Sequence, residues 1–134
     1  MAKKKALAEA IGTTDLIVTD PKTGLEWSPT LGERVNWKQA KKVAEDYRGG
    51  SHDDWRLPAI EELITQIDFS RFNPAANTEL FPDMKPNYYW SSTPDASSPG
   101  DYAWLVDFYG GCVYWSNQDS TAFVRAVRGP RASQ

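Results

Sequence analysis

Cysteine and histidine each occur once in this 134-residue chain. A lone Cys112 forms no internal disulfide, which suits a reducing compartment or a particle assembled inside a cell. His52 offers one imidazole, and even with Asp53 and Asp54 beside it the cluster falls short of the three or four converging ligands that a metal centre requires; neither a metal nor a cofactor is expected. Cys–His nucleophilic chemistry fares no better, because Cys112 lies in a strand-like run between aromatics with a single histidine in the whole chain. No apolar run approaches the ~20 residues of a membrane-spanning helix, so insertion is not expected. No internal repeat or low-complexity linker divides the sequence, and from Pro86 onward there is neither Lys nor Glu.

Charge narrows the partners. The net charge is -3, and without the first ten residues, which hold Lys3, Lys4, Lys5 and Glu9, the balance is 12 basic against 17 acidic. Such a body has no electrostatic case for DNA, RNA or anionic lipid. The start Met-Ala-Lys-Lys-Lys imitates the basic leader of a signal peptide, but residues 6–11 include Glu9 and are too short for its apolar segment. Export by that route is not expected; the cytoplasm or a virus or phage particle fits better, with the cell surface open by another route. A chain of this length builds one core, and the expected division is a flexible or short helical segment at 1–14 followed by one domain at 15–130.

What the tail does have is aromatic. Beyond Pro86 lie five of the six tyrosines and three of the six tryptophans, interspersed with Ser, Asn, Asp and Gly-Gly. This mixture resembles an antibody paratope, where rigid aromatics supply contact area at low entropy cost and short polar side chains supply adaptable hydrogen bonds. Trp90 and Trp104 are assigned to the core together with Trp27, Trp37 and Trp55; Tyr109, Tyr114 and Trp115 are assigned to the surface.

Local patterns give an α+β order. Residues 16–18 and 25–27 read as short strands around the turn Asp20-Pro21-Lys22-Thr23-Gly24. Asn36 reads as the N-cap of a helix carrying Trp37, Ala40, Ala44 and Tyr47 at three- and four-residue spacing, ended by Gly49-Gly50. A second helix follows, with Pro58 in its first turn and Ile60, Leu63, Ile64 and Ile67 on one stripe. Residues 68–87 read as a long loop anchored by Phe69, Phe72 and Phe81. Runs at 88–92, 102–108, 112–115 and 122–128 are rich in aromatic and β-branched residues and read as strands; Tyr109-Gly110-Gly111 closes a hairpin. The expected architecture is two helices packed on one side of a small antiparallel sheet with long loops.

With these segments in order, the chain resembles the domain found at the C-terminus of bacterial collagen-like adhesins, a family with a C-type-lectin-like fold. The residues that carry the likeness are Thr23-Gly24-Leu25-Glu26-Trp27, Asp54-Trp55-Arg56-Leu57-Pro58 with Glu62-Leu63, Phe81-Pro82, Tyr89-Trp90-Ser91-Ser92, residues 103–108 and Val124-Arg125-Ala126-Val127-Arg128-Gly129. The resemblance implies that the N- and C-terminal strands pair, and that loops around the third and fourth strands of the C-terminal sheet face the ligand. Ala44 and Ala126 stand where many members have a disulfide pair. Ala59 stands where members often cap the second helix with Ser or Thr, a loss of ~1 kcal/mol that Asp54 or a water would offset. The Glu-Pro-Asn and Trp-Asn-Asp triplets that bind calcium and sugar in animal C-type lectins are missing. Some relatives are variable proteins of diversity-generating retroelements, in which a reverse transcriptase rewrites adenine-containing codons into Tyr, Ser, Asp, Gly, Cys or His but not Lys or Glu; residues 95–122 fit that output.

These readings converge on a non-enzymatic recognition domain that holds a protein or glycan partner. Its surface is expected from the loop at 92–101 (Asp95, Ser97, Asp101), the strand face at 102–109 (Tyr102, Leu105, Asp107, Tyr109), Gly111, and the stretch 114–121 with Tyr114, Trp115, Ser116, Gln118, Asp119 and Ser120. Arg56 is expected to stack on an aromatic or pair with Asp54 or Glu62, and Arg125 and Arg128 lie on opposite faces of the last strand. Asp54 is expected as a turn or capping residue and His52 as a surface loop residue. The alternatives are a carbohydrate- or glycosaminoglycan-binding adhesin module and, less favoured, an enzyme related to the formylglycine-generating fold, whose cysteine pair a single Cys112 does not supply.

Overall fold

Asp20 turns the chain between the first two strands. Its carboxylate accepts the Lys22 N–H at 2.9 Å, its backbone closes on Gly24 and Leu25, and Gly24 takes the left-handed φ of 77° that the turn needs. β1 (Val18–Thr19) and β2 (Glu26–Thr30) pair antiparallel on either side. The computed structural model describes residues 17–130; the segment 1–14 and Leu16 lie outside the described residues.

α1 (Trp37–Asp46) starts where expected: Asn36 accepts the Gln39 N–H, and the Gln39 side chain accepts the Asn36 N–H. It ends earlier than Gly49-Gly50. Tyr47 leaves the helix in an extended conformation, its ring packs edge-on to Trp55 at 4.9 Å, and Gly49–Ser51 forms a short 3-10 turn whose Gly49 carbonyl accepts from the Trp55 indole.

α2 (Ile60–Ile64) is shorter than its apolar stripe, and Pro58 precedes the cap residue Ala59 rather than occupying the first turn. Asp54 does not supply the missing cap. Thr93 Oγ1 accepts the Ile60 N–H at 3.0 Å, and Glu62 accepts the Ala59 N–H at 2.9 Å. Asp54 instead accepts two bonds from Arg128, which hold its carboxyl below the ordinary carboxylate value. His52 is half-buried.

β3 (Tyr88–Pro94), β4 (Tyr102–Asp107) and β5 (Cys112–Asn117) form one antiparallel sheet; β1, β2 and β6 (Arg125–Arg128) form a second. The last strand pairs with β2, not with the first strand. β1 is two residues long, whereas β2 offers a longer buried ladder with Trp27 opposite Val127. Both ends of the domain still meet in one sheet.

The helices do not share one side. α1 gives Trp37, Ala40 and Ala44 to a core with Trp90, Ala103, Leu105 and Ala126; α2 and the turn after it give Leu63 and Ile67 to a core with Tyr89, Val106 and Phe108. Neighbouring strand residues point to opposite faces, so β4 is packed from both. Trp104 is the exception among the expected core tryptophans: it is half-buried, edge-on to Trp115 at 5.6 Å. Of the three phenylalanines expected to anchor the long loop, only Phe81 does so, with Met84 beside it in the core. Phe69 and Phe72 are 77% and 65% exposed, because Ala75 and Ala76 fill the interior and the backbone is tied by Asn73 N–H to the Tyr109 carbonyl and Ala75 N–H to the Phe108 carbonyl.

The arginines are structural. Arg56 makes a bidentate pair with buried Glu62 at 2.7 and 2.8 Å, and Arg128 pairs with Asp54 and Glu26. Arg125 is buried; it donates to the Ser28 carbonyl, to Thr30 Oγ1 and to Asp83 Oδ1. Burial alone would push the Asp83 carboxyl up, but the Arg125 guanidinium and the Thr30 N–H outweigh it and hold it below the ordinary 3.8.

Two outcomes follow. Thr93→Val should cost about 1 kcal/mol in urea denaturation, and adding Ala59→Ser to that variant should recover most of it. A carboxyl with a lowered folded pKa adds stability above its unfolded pKa that is lost as pH falls through the folded one. Wild-type stability should therefore drop below pH ~4, whereas Asp83→Asn should be less stable at pH 7 and should show a shallower acid decline.

Candidate ligand-binding surface

The β4–β5 register sets Leu105 opposite Tyr114 and Trp104 opposite Trp115. The pleat then sends Tyr114 and Trp115 to opposite faces, so they do not form the single patch expected from their adjacency. On one face, Tyr88 of β3 and Tyr114 of β5 approach edge to face at 6.3 Å across β4. On the other, Trp115 covers Trp104.

After β5 the chain turns at Asn117, whose carbonyl accepts the Ser120 N–H, and then crosses the Tyr114 side of the sheet. The Gln118 carbonyl receives the Trp37 N–H, Ala122 bridges to Val35, and Phe123 exchanges backbone bonds with Tyr88 and Trp90. This crossing walls a hollow of about 350 Å³ lined by Tyr88, Leu105, Tyr114, Trp115, Ser116, Ser120 and Thr121. Leu105, 3% exposed, contributes buried apolar surface to it. Among the described residues no ionisable group other than the two phenols lines it. The Cys112 thiol beside Tyr114 pushes that phenol up, aided by burial and the Asp107 charge.

Of the residues expected at the site, the hollow gathers Leu105, Tyr114, Ser116 and Ser120; Trp115 borders it while its ring covers Trp104 on the other face. Others hold the scaffold. Asp95 accepts the Ser97 hydroxyl and receives the Ser98 N–H on its carbonyl, while Gln118 donates to the Pro99 and Tyr102 carbonyls and takes the Asp101 carbonyl on its own N–H. Asp107 accepts the Tyr109 N–H in the hairpin turn, where Gly111 adopts φ 84° and an added Cβ would meet Ile67 at 3.0 Å. Asp119 is exposed, its N–H given to the Asn117 side chain. The loop end and the hairpin tip lie at opposite ends of β4, six residues or ~20 Å apart.

Two features escaped the sequence. Tyr88 belongs to the hollow, and its alternation with buried Tyr89 was the available signal. At the hairpin tip, Phe72 packs edge-on to Tyr109 at 4.8 Å with both rings largely exposed. Among the described residues no group of three or more His, Cys, Asp or Glu side chains is placed to hold a metal ion, and no helix is long and apolar enough to cross a membrane.

A family model described as the Lcl C-terminal domain matches residues 16–128. The chain belongs to the Lcl C-terminal domain family. A segment of Halomucin from Haloquadratum walsbyi is 28% identical to this Lcl C-terminal domain over 111 residues, which is 83% of the chain. The chain spans about 1% of Halomucin's length. Ala44 and Ala126 are both fully buried in the core that α1 serves.

Leu105→Ala should cost about 2–5 kcal/mol by emptying the space beneath the hollow, whereas Tyr114→Ala and Trp115→Ala should each cost less than about 1 kcal/mol in thermal or urea unfolding.

Proposed function

We propose that this Lcl C-terminal domain is a non-enzymatic recognition domain with a C-type-lectin-like fold, and that the β3–β4–β5 sheet holds a macromolecular partner. The observation that carries the reading is the exposure of Tyr88, Tyr114 and Trp115, at 39%, 45% and 57%, on a sheet otherwise built into two cores. Large aromatics left in water without a partner favour aggregation, and aromatic anchors with hydroxyl neighbours are the composition of binding surfaces. β5 adds no residue to either core, so its side chains are free to be chosen for a ligand.

The same freedom supports the finer reading, a variable ligand-binding protein of a diversity-generating retroelement. Tyr109, Gly111, Cys112, Tyr114, Ser116, Asp119 and Ser120 are all outputs of adenine-directed rewriting, and none of them is buried. A carbohydrate-binding adhesin module is the second reading, favoured by the uncharged, hydroxyl-rich lining of the hollow.

Sequencing around the gene tests the finer reading. A reverse-transcriptase gene and a near-copy of the coding 3′ end that differs at adenines are expected; identical codons 109–120 across independent isolates with no near-copy would overturn it. Recognition itself is tested on protein and glycan arrays. Tyr88→Ala with Tyr114→Ala should weaken any specific hit about tenfold or more at unchanged melting temperature, and full retention of every hit would place the binding surface elsewhere.

A further inference from the structure

The hollow between Tyr88 and Tyr114 has a volume of about 350 Å³, at the small end of pockets that take low-molecular-weight groups, roughly 300–1,000 Å³. Apart from the Trp115 indole, the polar side chains among its lining residues are hydroxyls. The hydroxyls of Tyr88, Ser116, Ser120 and Thr121 have no hydrogen-bond partner among the described residues. A hydroxyl both donates and accepts, so the four together match a ligand that is itself rich in hydroxyls.

Charge selects further. Sulfate and carboxylate groups are held by Arg and Lys, and neither lines the hollow. The arginines of the last strand are committed elsewhere: Arg125 is buried on Asp83, and Arg128 is held between Asp54 and Glu26. Asp107 follows Leu105 on the same face of β4 and adds negative charge nearby. An anionic group seated in the hollow would face the Asp107 charge with no Arg or Lys among the lining residues.

An apolar side chain of a protein partner is the other candidate for a cavity of this size. Filling the hollow with one would strip water from the hydroxyls without replacing their hydrogen bonds, and a buried hydroxyl left unpaired is costly. A sugar ring replaces those bonds with its own hydroxyls and lays its C–H face on the electron-rich face of a tyrosine. No carboxylate lines the hollow to share a calcium ion with the sugar.

We infer that the hollow lined by Tyr88, Leu105, Tyr114, Ser116, Ser120 and Thr121 is a calcium-independent subsite for one neutral pyranose unit of a glycan. This rests on the recognition reading above and narrows its ligand.

The test applies the full chain, in EDTA, to a glycan array carrying neutral, sialylated and sulfated glycans, followed by calorimetric titration with the methyl glycosides of galactose, glucose, mannose, fucose and N-acetylglucosamine. At least one neutral terminal unit should bind, and its methyl glycoside should bind in titration. Tyr114→Ala, and separately Ser116→Ala with Ser120→Ala, should weaken it about tenfold with the melting temperature unchanged. Phe72→Ala at the hairpin tip should leave it intact. Hits confined to sulfated or sialylated glycans, or loss of binding in EDTA, would overturn the neutral subsite. A protein-array hit that Tyr114→Ala removes, with no glycan hit, would overturn the sugar and sustain recognition; no partner of either kind would overturn both.

Discussion

β4 is buried from both sides, and the candidate site hangs from it. Ala103 and Leu105 enter the core served by α1, while Val106 and Phe108 enter the core served by α2. A strand held on both faces cannot slip its register without moving apolar side chains into water or into the wrong core. β5 is therefore positioned by β4 through its backbone ladder, while its own side chains are spared that work. That separation lets Tyr114 and Trp115 stand exposed on a stiff support.

Electrostatics act in the same direction. Arg56, Arg125 and Arg128 are each spent on joints within the scaffold: the segment before α2 to Glu62 and to the Gly129 carbonyl, the last strand to the loop at Asp83, and the last strand to Asp54 and Glu26. Arg125 illustrates the cost of such joints, since its Nε is buried without a hydrogen-bond partner among the described residues. A buried pair of this kind specifies position more than it adds stability. With these three arginines committed to the scaffold, no Arg or Lys is among the residues that line the hollow beside Tyr88 and Tyr114.

Much of this was legible in the sequence, and the errors share a cause. The α1 cap at Asn36, the strands of the aromatic tail and the exposure of Tyr109, Tyr114 and Trp115 were all readable from residue type and spacing; for Arg56 an aromatic, Asp54 and Glu62 stayed open, and the structure takes Glu62. Trp104 was misplaced because apolar alternation along β4 does not say where the cover over each face stops; the α2 core reaches Val106 and Phe108 but leaves Trp104 with Trp115. Phe69 and Phe72 look like anchors by composition, yet backbone bonds to the hairpin tip hold that loop. The cap on α2 was illegible for a further reason: Thr93 is 33 residues from Ile60 in sequence. The split of Tyr114 from Trp115 and the wall made by the crossing segment depend on tertiary contacts that no local pattern carries.

The central claim is that β4 carries the fold and β5 carries the choice of ligand. The most direct measurement is a pair of libraries, one randomising Cys112, Tyr114, Trp115 and Ser116 and the other Ala103, Leu105, Val106 and Phe108, each scored for cooperative folding by protease resistance on a display platform. Most members of the first library should stay folded and few of the second should. Equal losses in both would contradict the account.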